Sequence, residues 1–196
     1  MAAEVESETR AAPERILDAA CDLIATDGID EVRIARVATR AGASSALVHY
    51  HFATREALLA EALERSFDQA GDTRAVETGE PPSIQRLHDM IEQCLPLPGD
   101  QEKDWVLWAE LWLRAVRHPE LRPTATHLYD RMHAWFVEAL EDFDCDADRV
   151  ADRVLALIDG FGVRALLGDP AMPIERAREE IWLVLEQDLA HVTAQQ

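Results

Sequence analysis

The chain is 196 residues long, 48% hydrophobic and carries a formal net charge of −19, enough to bury one good core or two modest ones. Its apolar runs, such as Val154 to Ile158, fall far short of the roughly 20 residues a membrane span needs. Glu4, Glu6 and Glu8 stand where a secretory leader would carry basic and then apolar residues, which predicts a soluble cytoplasmic protein; three scattered cysteines, Cys21, Cys94 and Cys145, argue against a disulfide framework or a zinc cluster.

So acidic a chain looks hostile to nucleic acid, because phosphate binding depends on cations that displace counterions. The distribution of charge reverses that impression. Residues 1–55 hold nine acids against six arginines, so residues 56–196 carry sixteen of the nineteen net negative charges. Within Val32 to Arg55 there are four arginines, Arg33, Arg36, Arg40 and Arg55, and no acid. A short basic segment in an acidic protein is the expected footprint of local DNA binding.

Strand signals are nearly absent and apolar residues recur at helical spacing, so the fold class is all-α with about nine helices. Ile16, Leu17, Ala20, Leu23 and Ile24 mark a first helix, with Pro13 in its first turn and Gly28 just past its end. Ile34, Val37, Ala38 and Ala41 mark a short second helix, stopped at Gly42, where glycine accepts the left-handed backbone of a sharp turn. Ser44 or Ser45 caps a third helix reaching about His51, and Thr54 caps a longer fourth with Leu58, Leu59, Ala62, Leu63 and Phe67 inward. The run Gly71 to Pro82 predicts the end of that helix and a loop. Further helices are expected over Ser83 to Leu95, Glu102 to Arg117, Leu121 to Phe143 and Asp148 to Leu167, and Pro173 opens a last one that ends near His191. Two domains follow, 1–55 and 56–196.

Two short helices joined by a tight glycine turn, the second opening with small polar residues, make the arrangement that places a recognition helix in the major groove. The run Val37-Ala-Thr-Arg-Ala-Gly-Ala-Ser-Ser-Ala-Leu-Val-His-Tyr-His-Phe-Ala-Thr-Arg-Glu-Ala-Leu-Leu59 closely resembles the signature of the TetR/AcrR regulators. The match extends back through Asp27-Gly28 and the first helix, covering residues 13 to 60. The rest is similar to the family more loosely. A tryptophan-rich sixth helix followed by His118-Pro119-Glu120-Leu121, and the stretch Asp159-Gly-Phe-Gly-Val-Arg-Ala-Leu-Leu-Gly168, look most like the subgroup of choline-responsive repressors.

That resemblance implies a ligand-responsive regulator rather than an enzyme, with no cofactor: a repressor released from a palindromic operator by a small molecule. It implies a homodimer through the last two helices, packed as a four-helix bundle, and an effector cavity framed by the middle helices. Carried over residue by residue, it puts the phosphate-contacting serine on Ser44 and the base-reading positions on Ser45, Ala46 and Leu47, with Tyr50 a further contact. The chain departs from the pattern at three positions. His49 replaces a phosphate-touching tyrosine, Arg55 replaces the lysine opening the fourth helix, and Arg33 replaces the capping threonine or serine of the second. All three substitutes can donate to phosphate, so they alter the operator rather than abolish binding. Arg36 and Arg40 fit a solvated face as well as a DNA contact, and His51 and Phe52 are expected to pack in the core.

For the effector, Trp105, Trp108 and Trp112 share one face of the sixth helix, and Met132, Trp135 and Phe136 lie on the next. Such stripes are usually core, although a cavity among them fits the family. Asp159 is sharper, because Leu155, Ala156, Gly162 and Val163 around it are apolar. It is either an ion pair with Arg164 or Arg131, or an anchor for a cationic or amphipathic ligand whose charge the aromatic rings also attract. Glu110 and Arg114 read as a solvated helix face. Asp130-x-x-His133 and Asp188-x-x-His191 have the spacing of bundle di-metal sites but lack the further glutamates such sites need, so no metal is expected. Gly160-x-Gly162-x-x-Ala165 lacks the strand–helix–strand setting of a dinucleotide fingerprint.

Overall fold

The computed structural model describes the backbone of residues 2–73 and 83–193, and side chains within 12–67 and 83–190. Among the described residues there are nine α-helices and no strand: α1 (Ala2–Asp27), α2 (Ile34–Ala41), α3 (Ser45–His51), α4 (Arg55–Thr73), α5 (Ile84–Cys94), α6 (Asp100–Arg117), α7 (Arg122–Leu140), α8 (Ala147–Leu166) and α9 (Ile174–Thr193). Short 3₁₀ turns at Ile29–Glu31 and Pro119–Leu121 precede α2 and α7. Among the described residues no helix is long and apolar enough to cross a membrane. The chain divides into two compact units, Met1–Gly71 with Val106–Ala125, and Asp72–Trp105 with Thr126–Gln196.

In the first unit, Ile16, Ala20 and Ile24 of α1 are fully buried with Val37 of α2, Val48 of α3 and Leu58, Leu59 and Ala62 of α4. Apolar residues every three or four positions make that face continuous, and its burial removes most of the apolar area of these short helices from water. The α2–α3 turn follows from Gly42, whose φ of 63° is left-handed; Ala43 N–H then donates to Ala38 O and Gly42 N–H to Thr39 O, satisfying carbonyls at the end of α2. Of the two serines that could cap α3, Ser44 does so, its hydroxyl accepting from Leu47 N–H at 3.1 Å. Thr54 accepts from Ala57 N–H at 3.0 Å and opens α4.

Several boundaries differ from expectation. The seventh helix ends at Leu140 rather than Phe143. The first helix begins at Ala2, so Pro13 lies inside it. Residues 2–12 are rich in alanine and glutamate, strong helix formers, and a proline removes only one bond from a helix anchored just below by buried Ile16 and Ala20. The fourth helix runs past Gly71 to Thr73; from residue 74 on, the expected loop lies outside the described residues.

The second unit is built on α5, α7, α8, α9 and the start of α6. Leu87, Met90, Ile91, Phe136, Leu140, Val154, Ile158, Ile181 and Leu185 are buried there. Ser83 caps α5 by accepting from Arg86 N–H at 3.1 Å, and Asp146 caps α8 by accepting from Arg149 N–H at 3.2 Å. The Trp105 indole abuts α8 at Gly162: a Cβ there would stand 2.3 Å from its Cη2. Its Nε1 donates to the Cys94 carbonyl at 2.9 Å. Arg86, also buried, reaches Glu138 of α7 at 3.1 Å.

Candidate nucleic-acid interface and effector site

The third helix presents two unlike sides. Val48 and Phe52, four residues apart, are buried, whereas Ser45, Ala46, His49 and Tyr50 are exposed and Leu47 is half-buried. Tyr50 is 79% exposed, an unusual position for an aromatic ring, and meets His51 edge-on. Ser44 caps the helix through its oxygen and keeps its proton to donate outward. Thus Ser44, Ser45, Ala46, His49 and Tyr50 share an open surface, joined by exposed Arg33 at the N-terminus of α2, which makes no side-chain capping bond. His51 is half-buried and Phe52 fully so, as core residues are.

Arg33 itself lies 4.0 Å from Glu31, and the other arginines of the basic segment are held more closely. Arg36 pairs with Asp27 at 2.5 Å and Glu31 at 3.2 Å, and Arg40 pairs with Asp22 at 3.2 Å. Arg55 is turned inward: Nε donates to Val32 O at 2.7 Å and Nη2 to Ile29 O at 2.5 Å. Acids on α1 thereby neutralise arginines of α2, an arrangement that residue spacing alone does not reveal because the partners lie 9 and 18 residues apart. Arg114, read as part of a solvated face, instead pairs with Asp30 and keeps only 19% exposure. Half-buried on its helix, it reaches the turn ahead of α2.

The effector candidates divide between the units. Trp108 and Trp112 belong to the first, where Trp108 is buried and tilted against Phe67 with ring centroids 6.2 Å apart. Trp105, Met132, Trp135, Phe136 and Asp159 belong to the second. There Trp105 and Phe136 are buried, and Trp135 packs against Phe136 at 5.6 Å. Met132, Trp135 and Asp159 are half-buried.

Asp159 pairs with neither arginine proposed for it. Arg164 instead binds Asp169 at 2.7 Å, and the partner of Asp159 is the Tyr129 hydroxyl, which donates at 2.7 Å. Tyr129 escaped notice in the sequence because nothing in the spacing links positions 30 apart on different helices. Burial raises the Asp159 carboxyl above its ordinary range, opposed by the bond from Tyr129. Burial, then the bond to Asp159, raises the phenol too. Met132 and Phe136 follow Tyr129 at i+3 and i+7, and Gly162, which Trp105 abuts, follows Asp159 at i+3. A carboxylate, a phenol, a thioether and indole and phenyl rings thus occupy neighbouring helical positions.

Among the described residues the di-metal spacing does not form a cluster. Asp188 pairs with Arg153, His133 Nε2 lies 3.5 Å from Asp152, and the side chain of His191 lies outside the described residues.

Residues 16–62 match the family model for bacterial regulatory proteins of the tetR family, and residues 83–188 match that for the C-terminal part of BetI-type transcriptional repressors. The HTH-type transcriptional regulator BetI 1 of Chromohalobacter salexigens is 24% identical over 186 residues, 92% of this chain and 91% of that one. A putative transcriptional regulator from Saccharomonospora viridis, solved in complex with choline, is 32% identical with a TM-score of 0.80, covering 92% of this chain and 98% of its own. The multidrug binding protein EbrR, solved with proflavin, is 27% identical with a TM-score of 0.64, covering 87% and 97%. With its helix-turn-helix and its BetI-type C-terminal part both matched, the chain belongs to the TetR family of DNA-binding transcriptional regulators.

Proposed function

We propose that this regulator is a cytoplasmic homodimer that holds a palindromic operator through α3 and releases it on binding a cationic or amphipathic amine. Exposed apolar residues Val163 of α8, Leu167 just past its end and Leu183 of α9 support the dimer, since a monomer gains nothing by leaving them in water. Ser44, His49 and Arg33 contact phosphate, while Ser45, Ala46, Leu47 and Tyr50 face the bases. Because Arg36, Arg40 and Arg55 are already engaged, few charges remain for phosphates. The slope of log affinity against log salt is expected to be smaller in magnitude than the roughly 7 that four available arginines on each of two subunits would give. Gel shifts over a salt series, on a duplex selected by the protein from a random pool, measure it. A slope of that size or steeper would show that the arginines leave their carboxylates on binding.

The observation that carries the effector reading is Asp159, a half-buried carboxylate whose partner is a neutral phenol and not a cation. A ligand ammonium would supply the missing charge, and aromatic faces add about 0.5–2 kcal/mol each. Choline, held by one relative, is a quaternary ammonium, and ethidium, held by EbrR, is also a cation. Calorimetry with choline, betaine, a polyamine and a neutral aromatic is expected to rank the cations first, and Asp159→Asn to remove most of that preference. The raised carboxyl sets the pH dependence: as pH falls through it, Asp159 takes up a proton and cation affinity drops, while a neutral ligand is unaffected. Equal binding of cations and neutral aromatics, or an unchanged cation affinity in the variant, refutes the assignment.

A further inference from the structure

The resemblance to related regulators assigns the residue opening α4 to the DNA backbone, yet Arg55 faces the other way. Its side chain is 24% exposed and its guanidinium forks onto two carbonyls of one turn, Val32 O at 2.7 Å from Nε and Ile29 O at 2.5 Å from Nη2. Nη1 lies 3.7 Å from Glu56, so all three nitrogens face groups of the protein itself. The turn it grips connects α1 to α2, and Ile29 O accepts the long 3.3 Å backbone bond from Val32 N–H, so the guanidinium adds a second and stronger donor. Val32, between them, is fully buried, and Arg33 begins α2 immediately after.

We infer that Arg55 is a positioning residue for operator reading, fixing the entry of α2 against the start of α4 rather than binding phosphate. The chain from α2 through Gly42 to α3 is short and internally bonded, so the angle at which α2 leaves the turn sets where Ser45, Ala46 and Leu47 lie. The fork is specific to arginine. A lysine at the same place carries the charge but is a single point donor and cannot bridge two carbonyls in a fixed plane.

The test compares Arg55→Lys and Arg55→Ala with the parent on a selected operator duplex and on an unrelated duplex of equal length. All are measured well below the melting transition, so that a loss of folded fraction does not enter. Positioning predicts that Arg55→Lys loses about tenfold in operator affinity, the scale of one charged hydrogen bond, while binding to the unrelated duplex stays within about twofold. Hydrogen exchange in the free protein should also speed up at the amides of residues 32–37 in the lysine variant. A phosphate contact predicts the reverse: Arg55→Lys matches the parent on both duplexes, and Arg55→Ala weakens both alike. That result, or unchanged exchange in residues 32–37, overturns the inference. Should Arg55→Ala fail to fold, the lysine variant decides alone.

Discussion

Replacing Gly162 by alanine is expected to destabilise the protein by about 3 kcal/mol, lowering its melting temperature by roughly 6–12 °C. In a helix interior that substitution ordinarily helps, by about 1 kcal/mol, because alanine is the better helix former. Here the new methyl would meet Cη2 and Cζ2 of Trp105 at 2.3 and 2.4 Å. The indole cannot tilt clear without giving up its bond to the Cys94 carbonyl, and it is 1% exposed, with neighbours on every side. Steric cost and a lost buried hydrogen bond therefore outweigh propensity. Thermal unfolding checks the size of the effect. A double variant with Trp105→Leu should recover part of the loss, and additive effects of the two changes would mean that the contact is not the cause.

Truncating Glu138 to alanine is expected to cost a similar amount, about 3 kcal/mol, although nearly half of its side chain is exposed. The cost arises at its partner. Arg86 has 1% side-chain exposure, and removing the carboxylate takes from its buried guanidinium a charged bond of 3.1 Å that no water replaces. Glu138→Gln keeps an acceptor at the 3.1 Å position and should cost only about 1 kcal/mol. Replacing both residues together, Arg86→Met with Glu138→Leu, should restore most of the stability, because burying neither charge removes the desolvation penalty. Denaturant unfolding of the three variants separates these outcomes; a double variant as unstable as Glu138→Ala would point to a packing role instead.

Local chemistry made the helix-turn-helix legible from residues alone. Gly42, a serine two residues later and apolar positions at 34, 37, 38 and 48 leave little choice about where α2 stops, where α3 starts and which sides turn inward. The same local information could not reveal where long side chains go. Arg36, Arg40 and Arg55 have the charge of a DNA footprint, but acids 9 and 18 residues earlier and carbonyls 23 and 26 residues earlier hold them. In the second unit, spacing put the tryptophans on one face without showing that Trp105 lies against a bare stretch of α8 backbone. It also marked Asp159 as exceptional without naming Tyr129, because a partner on another helix is fixed by packing and not by period. Pro13 misled for the opposite reason: its preference for a first turn is real, but flanking helix formers and the buried residues below it decide the outcome.

The carboxylates along α1 bear on how copies of this regulator distribute over a chromosome. Asp22 holds Arg40 and Asp27 holds Arg36, so two cations of the basic segment come with their own resident counterions. Arbitrary DNA offers on the order of 10⁶–10⁹ competing sites, and its hold on a protein is almost wholly electrostatic. With that hold weakened in advance, fewer copies are sequestered on irrelevant sequence, and a cell needs fewer of them to keep one operator filled.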